Sequence, residues 1–520
     1  MPFFRALACV VGCAACTAHT QGMSAASLRK SDSHVLTPET VILDMPLAPG
    51  EEPLRVSLRQ MMAIFKVPGF SIALIDHDRI AWAQGYGVTE PSGSVPVTPA
   101  TLFQAASVSK PITAAGGLWL VEHGKLGLDE DINTRLKTWK VPETALTATR
   151  KVTLRQLMSH NAGFNVHGFA GYDVGASIPT ITQTLDGLPP ANNPPIRVTA
   201  EPGSICRYSG GGVTVEGLLI ADASGQSFED FMRQRVLLPA GMTDSSFHQE
   251  LSPAQAARAA TGARSDGNAV PGKWHVYPEL APDGLWTTPS DLAKFAIEIA
   301  RSAHGQANHV LSQRMTQEML KVQCNDSNDR VGLGFGVGFS DNPDLFRHTG
   351  GNDGFGSILM MLADSGNGLA AMGNSDAFES VAGWTIDTLA KSYGWHYKPF
   401  PHDLGDLLVV AQSLRGAQAA LDAYAHVKAL DFAGWRHDSS TLNKLGYRLL
   451  GEKKLDEAIK VLALNVVEYP QDANAYDSLG EAYMDAGQKE LAIRNYEQSL
   501  ELNPANDNAV KRLATLRGQD

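Results

Sequence analysis

From residue 439 onward the sequence repeats itself at a fixed offset of 34: Leu445 and Leu479, Gly446 and Gly480, Ala458 and Ala492, Leu462 and Tyr496, and Pro470 and Pro504 all stand that far apart. A constant period of this length belongs to chains built from stacked supersecondary units, none of which can bury its apolar face alone. The C-terminal region is therefore expected to be all-helical, with its core buried between neighbouring units. Two copies fall short of the roughly three that an independent stack needs. The Ala- and Leu-rich segment 403–436 is expected to complete the stack, and 508–517 to serve as a polar cap. One detail breaks register: the turn glycines Gly451 and Gly487 do not share the offset.

The opposite end reads as an address. Residues 1–18 carry a single arginine, Arg5, and then a run of small and apolar residues, too short to span a bilayer but suited to the apolar region of a secretory signal. Val10-Val11-Gly12-Cys13 also resembles a bacterial lipobox, with the lipid on Cys13; cleavage after Ala18 is the alternative. Both imply export to a bacterial periplasm, to the envelope on a lipid tether, or to the medium, with membrane contact only through such an anchor. Cys13 and Cys16 form a C-x-x-C inside the apolar run without partner ligands, so no metal or redox role is read there. Cys206 and Cys324 remain, as one disulfide or as two buried thiols. A formal net charge of −12 and the lack of any long Lys/Arg run exclude a phosphate-tracking surface, and with it nucleic acid.

Between these ends the hydrophobic pattern changes period several times. Helical spacing over 54–67 stops at Pro68-Gly69 and is followed by two β-rich runs, 70–75 and 80–88, joined by a turn. Residues 133–200 are irregular, helices are expected at 212–223 and 228–238, and strands at 331–339, 345–349, 355–362 and 369–373, before a closing helix over 377–393. Hairpin first, helices in the middle and a strand meander last give an α+β class rather than alternating βαβ.

Chemistry points to Ser107-Val108-Ser109-Lys110 at the start of an apolar helical run. Residues three apart share a helix face, which sets an amine beside a hydroxyl. In a dry pocket, desolvation would lower the lysine pKa until it could accept the serine proton, making Ser107 a nucleophile and Lys110 its base. The spacing alone arises roughly once by chance in such a chain, and Ser27 with Lys30 repeats it in a polar segment, read as coincidence. Tyr208-Ser209-Gly210 and His348-Thr349-Gly350-Gly351 could supply a proton relay and a strand edge with small residues. His160 and His167 lack a H-E-x-x-H pattern and are read as structural or loop histidines; Asp353 reads equally as a turn residue or a substrate contact. No cofactor or metal is called for.

The stretch 54–396 resembles the serine hydrolases of the class C β-lactamase and penicillin-binding-protein family, whose motifs are S-x-x-K, Y-x-N and K-T-G or H-T-G. Connecting text agrees: 153–163 resembles "LLTHTSG", 237–242 "PLGM", and 283–292 "GGL-x-ST-x-x-DL". The repeats likewise resemble tetratricopeptide units, in which small residues let two antiparallel helices approach and proline ends the second. The resemblance implies an antiparallel sheet flanked by helices with an all-helical subdomain, followed by an all-α module. Signal segment 1–23, arm 24–53, hydrolase domain 54–396, helical linker 397–438 and a repeat module with cap over 439–520 would then follow in order. It also implies acyl-enzyme formation at Ser107 with Lys110 assisting, a proton relay through Tyr208, and substrate and oxyanion contacts from His348, Thr349, Gly350 and Gly351. The glycines would leave room for an acyl group at the strand edge.

Two departures narrow the substrate. Gly210 stands where lactamases of the family carry asparagine, and His348 where they carry the lysine whose fixed charge would attract a β-lactam carboxylate. Esterase or D-residue peptidase action on a small molecule or peptide is therefore favoured. A weak β-lactamase or penicillin-binding protein, and a non-catalytic sensor of peptides or cell-wall fragments, are the alternatives. The repeats would bind a protein partner or a second copy.

Overall fold

The computed structural model describes residues 40–42, 53–325 and 330–518. The signal segment and the Ser27/Lys30 pair lie outside these residues, as does most of the arm. Thr40–Ile42 pairs antiparallel with Arg55–Ser57.

Five antiparallel strands form the central sheet: β1 (Gly69–Asp76), β2 (Arg79–Gly87), β3 (Leu345–Asn352), β4 (Phe355–Leu362) and β5 (Asn367–Gly373), in the order β3-β4-β5-β1-β2. The first hairpin thus pairs with strands nearly three hundred residues later, Phe70 lying opposite Gly373 and Ile75 opposite Gly368. Successive residues of a strand face opposite ways. In β1 all but the last residue are buried because both faces are covered. Ala73 and Ile75 join a core shared with the helical subdomain, while Phe70, Ile72 and Leu74 join a second core on the other face.

The subdomain core wraps α2 (Ser109–Glu122) and α3 (Gly210–Ser224) and includes α4 (Pro289–Ala303), which lies against the sheet. Thr288 caps α4 by accepting from the amide of Asp291, and Pro289 occupies its first turn. The second core includes α1 (Leu58–Ile64) and α5 (Phe378–Ser392). Ser57 caps α1 with a reciprocal Gln60 bond, so the helix expected over 54–67 begins later and its first residues become a strand.

The strand expected over 331–339 does not form beyond Arg330–Val331. Its glycines explain why: Gly334 takes φ +91°, and a Cβ there would stand 2.8 Å from Pro111 Cα. The segment instead laces between helices, the Leu333 and Gly334 amides donating to the carbonyls of Met319 and Met158.

The C-terminal helices are α6 (Leu404–Arg415), α7 (Ala417–Ala429), α8 (Ser439–Gly451), α9 (Leu455–Glu468), α10 (Ala473–Asp485), α11 (Lys489–Leu502) and α12 (Asp507–Arg517). Every boundary of α8 and α9 reappears 34 residues later in α10 and α11. At the crossings the small residues do what the pattern asks: a Cβ on Gly446 would lie 2.4 Å from Leu462, and one on Gly480 3.1 Å from Tyr496. Residues 397–438 act as more than a linker. Leu404, Leu408 and Tyr424 share one continuous core with α1, α5 and the repeats.

Candidate active site

Ser107 sits in a single 3-10 turn, Ala106–Val108, between the short strand Phe103–Gln104 and α2. Lys110 follows one turn along, its side chain 1% exposed. Its Nζ donates to Ser107 Oγ at 2.8 Å, to the Pro282 carbonyl at 3.0 Å and to Asp283 Oδ1 at 3.1 Å, with the Tyr208 side chain a further hydrogen-bond partner. Ser107 Oγ in turn donates to Asp283 Oδ1 at 3.1 Å. Tyr208 lies against the same amine, its ring centroid 4.9 Å from Nζ.

The lysine does not have the charge state read from the sequence. Burial pulls its pKa down, as expected, but the charge of Asp283, with Tyr208 second, outweighs it and leaves the pKa above the ordinary lysine value. Lys110 is an ammonium in this arrangement. Asp283 belongs to the matched 283–292 segment, where it stands in place of the first glycine of "GGL"; that departure was the one local signal, and it was passed over because the partners that give it meaning are 176 and 173 positions away.

Three histidines surround Tyr208. The rings of His160 and His167 lie 4.4 and 4.9 Å from its ring, centroid to centroid, and His348 lies 6.2 Å away. His160 is buried, accepts from the Ser209 amide at 3.3 Å, and is held neutral by burial first and by the Lys110 charge second. The same two causes lower His348 to about 3. His348 Nδ1 donates to the Thr349 carbonyl at 2.6 Å, leaving Nε2 as the accepting nitrogen. The position therefore carries no positive charge.

The third motif lies on edge strand β3. Alternation turns His348 and Gly350 toward Ser107 and Thr349 the other way, where Thr349 lines a cleft of about 540 Å³ with Arg347 and Trp384. Gly350 serves another purpose than the one read from the sequence. Its missing side chain admits protein backbone, since a Cβ would stand 2.3 Å from the Ala105 carbonyl and 2.9 Å from the Ser107 amide. Gly351 has open space where a Cβ would go, but by the same alternation that space lies on the Thr349 face, away from Ser107, so it does not make the room for an acyl group that the sequence suggested. Beside it opens a cleft of about 530 Å³ lined by Phe169, Tyr277 and Asp353. Asp353 is ion-paired with Arg264 at 2.9 Å and lies 3.3 Å from His275 Nε2, a structural role at the end of the strand. Gly210 opens α3, where Ser209 caps the helix through the Gly212 amide.

Cys206 and Cys324 form a disulfide with their Cα atoms 5.9 Å apart, tying the segment leading to Tyr208 to a strand 118 residues on.

This arrangement can make a serine alkoxide equivalent beside a buried ammonium, with the uncharged His348 close to both through Tyr208. The family model described as Beta-lactamase matches residues 55–390, and that of the Tetratricopeptide repeat matches 473–506. Protein Rv1367c of Mycobacterium tuberculosis (strain ATCC 25618 / H37Rv) is 27% identical over 326 residues, covering 55% of this chain and 78% of that one. Penicillin-binding protein 4* of Bacillus subtilis (strain 168) is 26% identical over 318 residues, covering 57% and 66%. The octameric penicillin-binding protein homologue from Pyrococcus abyssi superposes with a TM-score of 0.56 at 22% identity, over 69% of this chain and 79% of that one, and shares the fold. With a family match spanning well over half its length and the family's serine and lysine in hydrogen-bond contact, the chain belongs to the Beta-lactamase family of serine hydrolases and penicillin-binding proteins.

Proposed function

We propose that this protein is an exported hydrolase that forms an acyl-enzyme at Ser107 and acts on esters, amides or D-amino-acid peptides lacking a carboxylate next to the scissile bond. The observation that carries this reading is the Ser107–Lys110 hydrogen bond of 2.8 Å at the edge of β3. The neutral His348 supports the limit on substrate, because a penicillin-type carboxylate would meet no fixed cation there. Lys110 cannot serve as that cation, since its charge is compensated by Asp283 at 3.1 Å. The disulfide fits an oxidising compartment and supports export. The repeats are assigned to a protein partner or to self-association.

A labelled fluorophosphonate or penicillin should modify the wild-type protein and fail on Ser107→Ala. A panel of p-nitrophenyl esters, D-amino-acid amides and nitrocefin should then show ester cleavage with poor nitrocefin turnover. Folded protein that never acylates would leave the sensor reading in place, and lactamase-level nitrocefin rates would overturn the substrate limit. The relatives named penicillin-binding protein favour penicillin binding as the second reading, which the labelled penicillin tests directly.

A further inference from the structure

We propose that Asp283, rather than Lys110, takes the proton of Ser107, so that Asp283 is a catalytic residue of this site and Lys110 a permanently charged partner. The inference rests on acylation at Ser107. Lys110 is hydrogen-bonded to Ser107, Pro282, Asp283 and Tyr208, and as an ammonium it has no lone pair to offer. The Ser107 hydroxyl points its proton at Asp283 Oδ1, 3.1 Å away. A carboxylate only accepts, so the direction of that bond is settled by chemistry.

The carboxylate is built in. Four contacts fix 281–285 to the nucleophile turn and α2: Thr113 Oγ1 donates to the Ala281 carbonyl at 2.8 Å, Lys110 to Pro282, the Leu285 amide to Ser109 Oγ at 3.1 Å, and the Ala105 amide to the Leu285 carbonyl at 2.8 Å. From the strand side Asn352 donates to the Asp283 carbonyl at 3.2 Å and to Gln104 Oε1 at 2.9 Å. Gln249 holds the Gly284 carbonyl at 2.7 Å. A side chain at Gly284 would collide with the Leu280 backbone at 2.7 Å, which keeps the turn tight. Asp283 itself is 5% exposed. A carboxylate buried this deeply, held from two elements and aimed at a serine hydroxyl, meets the geometric requirement of a general base.

In acylation the Ser107 proton passes to Asp283 as Oγ bonds to the substrate carbonyl carbon. The tetrahedral intermediate collapses, the bond to the leaving oxygen or nitrogen breaks, and that atom takes the proton from the Asp283 carboxylic acid. In deacylation water gives a proton to Asp283 as its oxygen bonds to the acyl carbon, and Ser107 Oγ recovers the proton as it leaves. Lys110 stays an ammonium throughout and stabilises charge on Oγ.

The charged and titratable groups facing Asp283 are Lys110 from α2 and Tyr277 and Glu279 from its own connection, while Tyr208, His160 and His348 act on Lys110. Asp283→Asn keeps the shape and an accepting oxygen but removes the basicity. Acylation by a fluorophosphonate and by a p-nitrophenyl ester, followed from pH 4 to 10, should rise in the wild type as a carboxylic acid ionises and then stay level. In Asp283→Asn the rate should fall by about a hundredfold at neutral pH, in the range general bases supply. The acid limb should vanish and the residue should climb with pH, as a lysine without its anion titrates. Asp283→Glu should restore the acid limb and part of the rate, which a folding defect at this position would not do. A variant Asn protein that keeps the wild-type pH profile overturns the proposal whatever its rate, and so does one within about threefold of wild type. Wild-type protein that never acylates overturns both this inference and the reading beneath it.

Discussion

Ala106 holds φ at 47°, in the left-handed region, immediately before the nucleophile and fully buried. A non-glycine residue there costs about 1–2 kcal/mol, and the cost is borne at the turn that presents Ser107. Gly350 belongs to the same construction. Gly350→Ala would drive a methyl into the Ala105 carbonyl and should lower stability by about 1–3 kcal/mol, as overpacking does, and reduce acylation by displacing the Ser107 turn. Gly351→Ala has open space and faces away from Ser107, so its thermal midpoint and its acylation rate should both stay near wild type. Melting curves and acylation kinetics of the pair test whether the glycine requirement is confined to the face that meets the Ser107 turn; equal destabilisation would contradict it.

The repeat helices explain the misregistered glycine. The left-handed residue between α8 and α9 is Lys453, at φ 60°, and its counterpart one period later is Gly487, at φ 71°. Gly451 is the last residue of α8 and not the turn residue. The backbone kept the period where the sequence did not. Lys453→Gly should therefore stabilise the protein by about 1 kcal/mol by removing a left-handed lysine, visible as a higher denaturant midpoint with unchanged slope; a lower midpoint would mean that Lys453 makes contacts worth more than its strain.

Over the whole molecule one apolar core runs from the sheet through α1 and α5 to Leu442, Leu445 and Leu479 of the repeats. Arg448 of α8 also donates to the Ile64 carbonyl of α1 at 2.9 Å and to Gln412 at 3.0 Å. The hydrolase region and the repeats should unfold together. Leu445→Ala, at a fully buried site, should cost about 2–5 kcal/mol and lower the midpoints of far-UV ellipticity and of Ser107 acylation in step. A shift confined to the helical signal would mean that the repeats fold apart.

What could be read in advance follows the range of the interactions. The repeat period and the central hairpin are short patterns, and pattern alone placed them on the right elements, whereas the serine, lysine, tyrosine and histidine motifs were singled out by their resemblance to the family. The strand expected over 331–339 failed because its β-rich residues alternate with glycines, one of which, Gly334, serves close approach to α2, a neighbour that no local window contains. Thr349 and Gly350 were placed on the correct strand, but which face each presents depends on the edge position of β3 in the finished sheet. The charge of Lys110 is the sharpest case. The serine three residues away determined that an amine would meet a hydroxyl. Whether that amine is neutral was decided by a carboxylate 173 residues along the chain, because burial and ion pairing oppose each other and only the folded neighbourhood says which is larger.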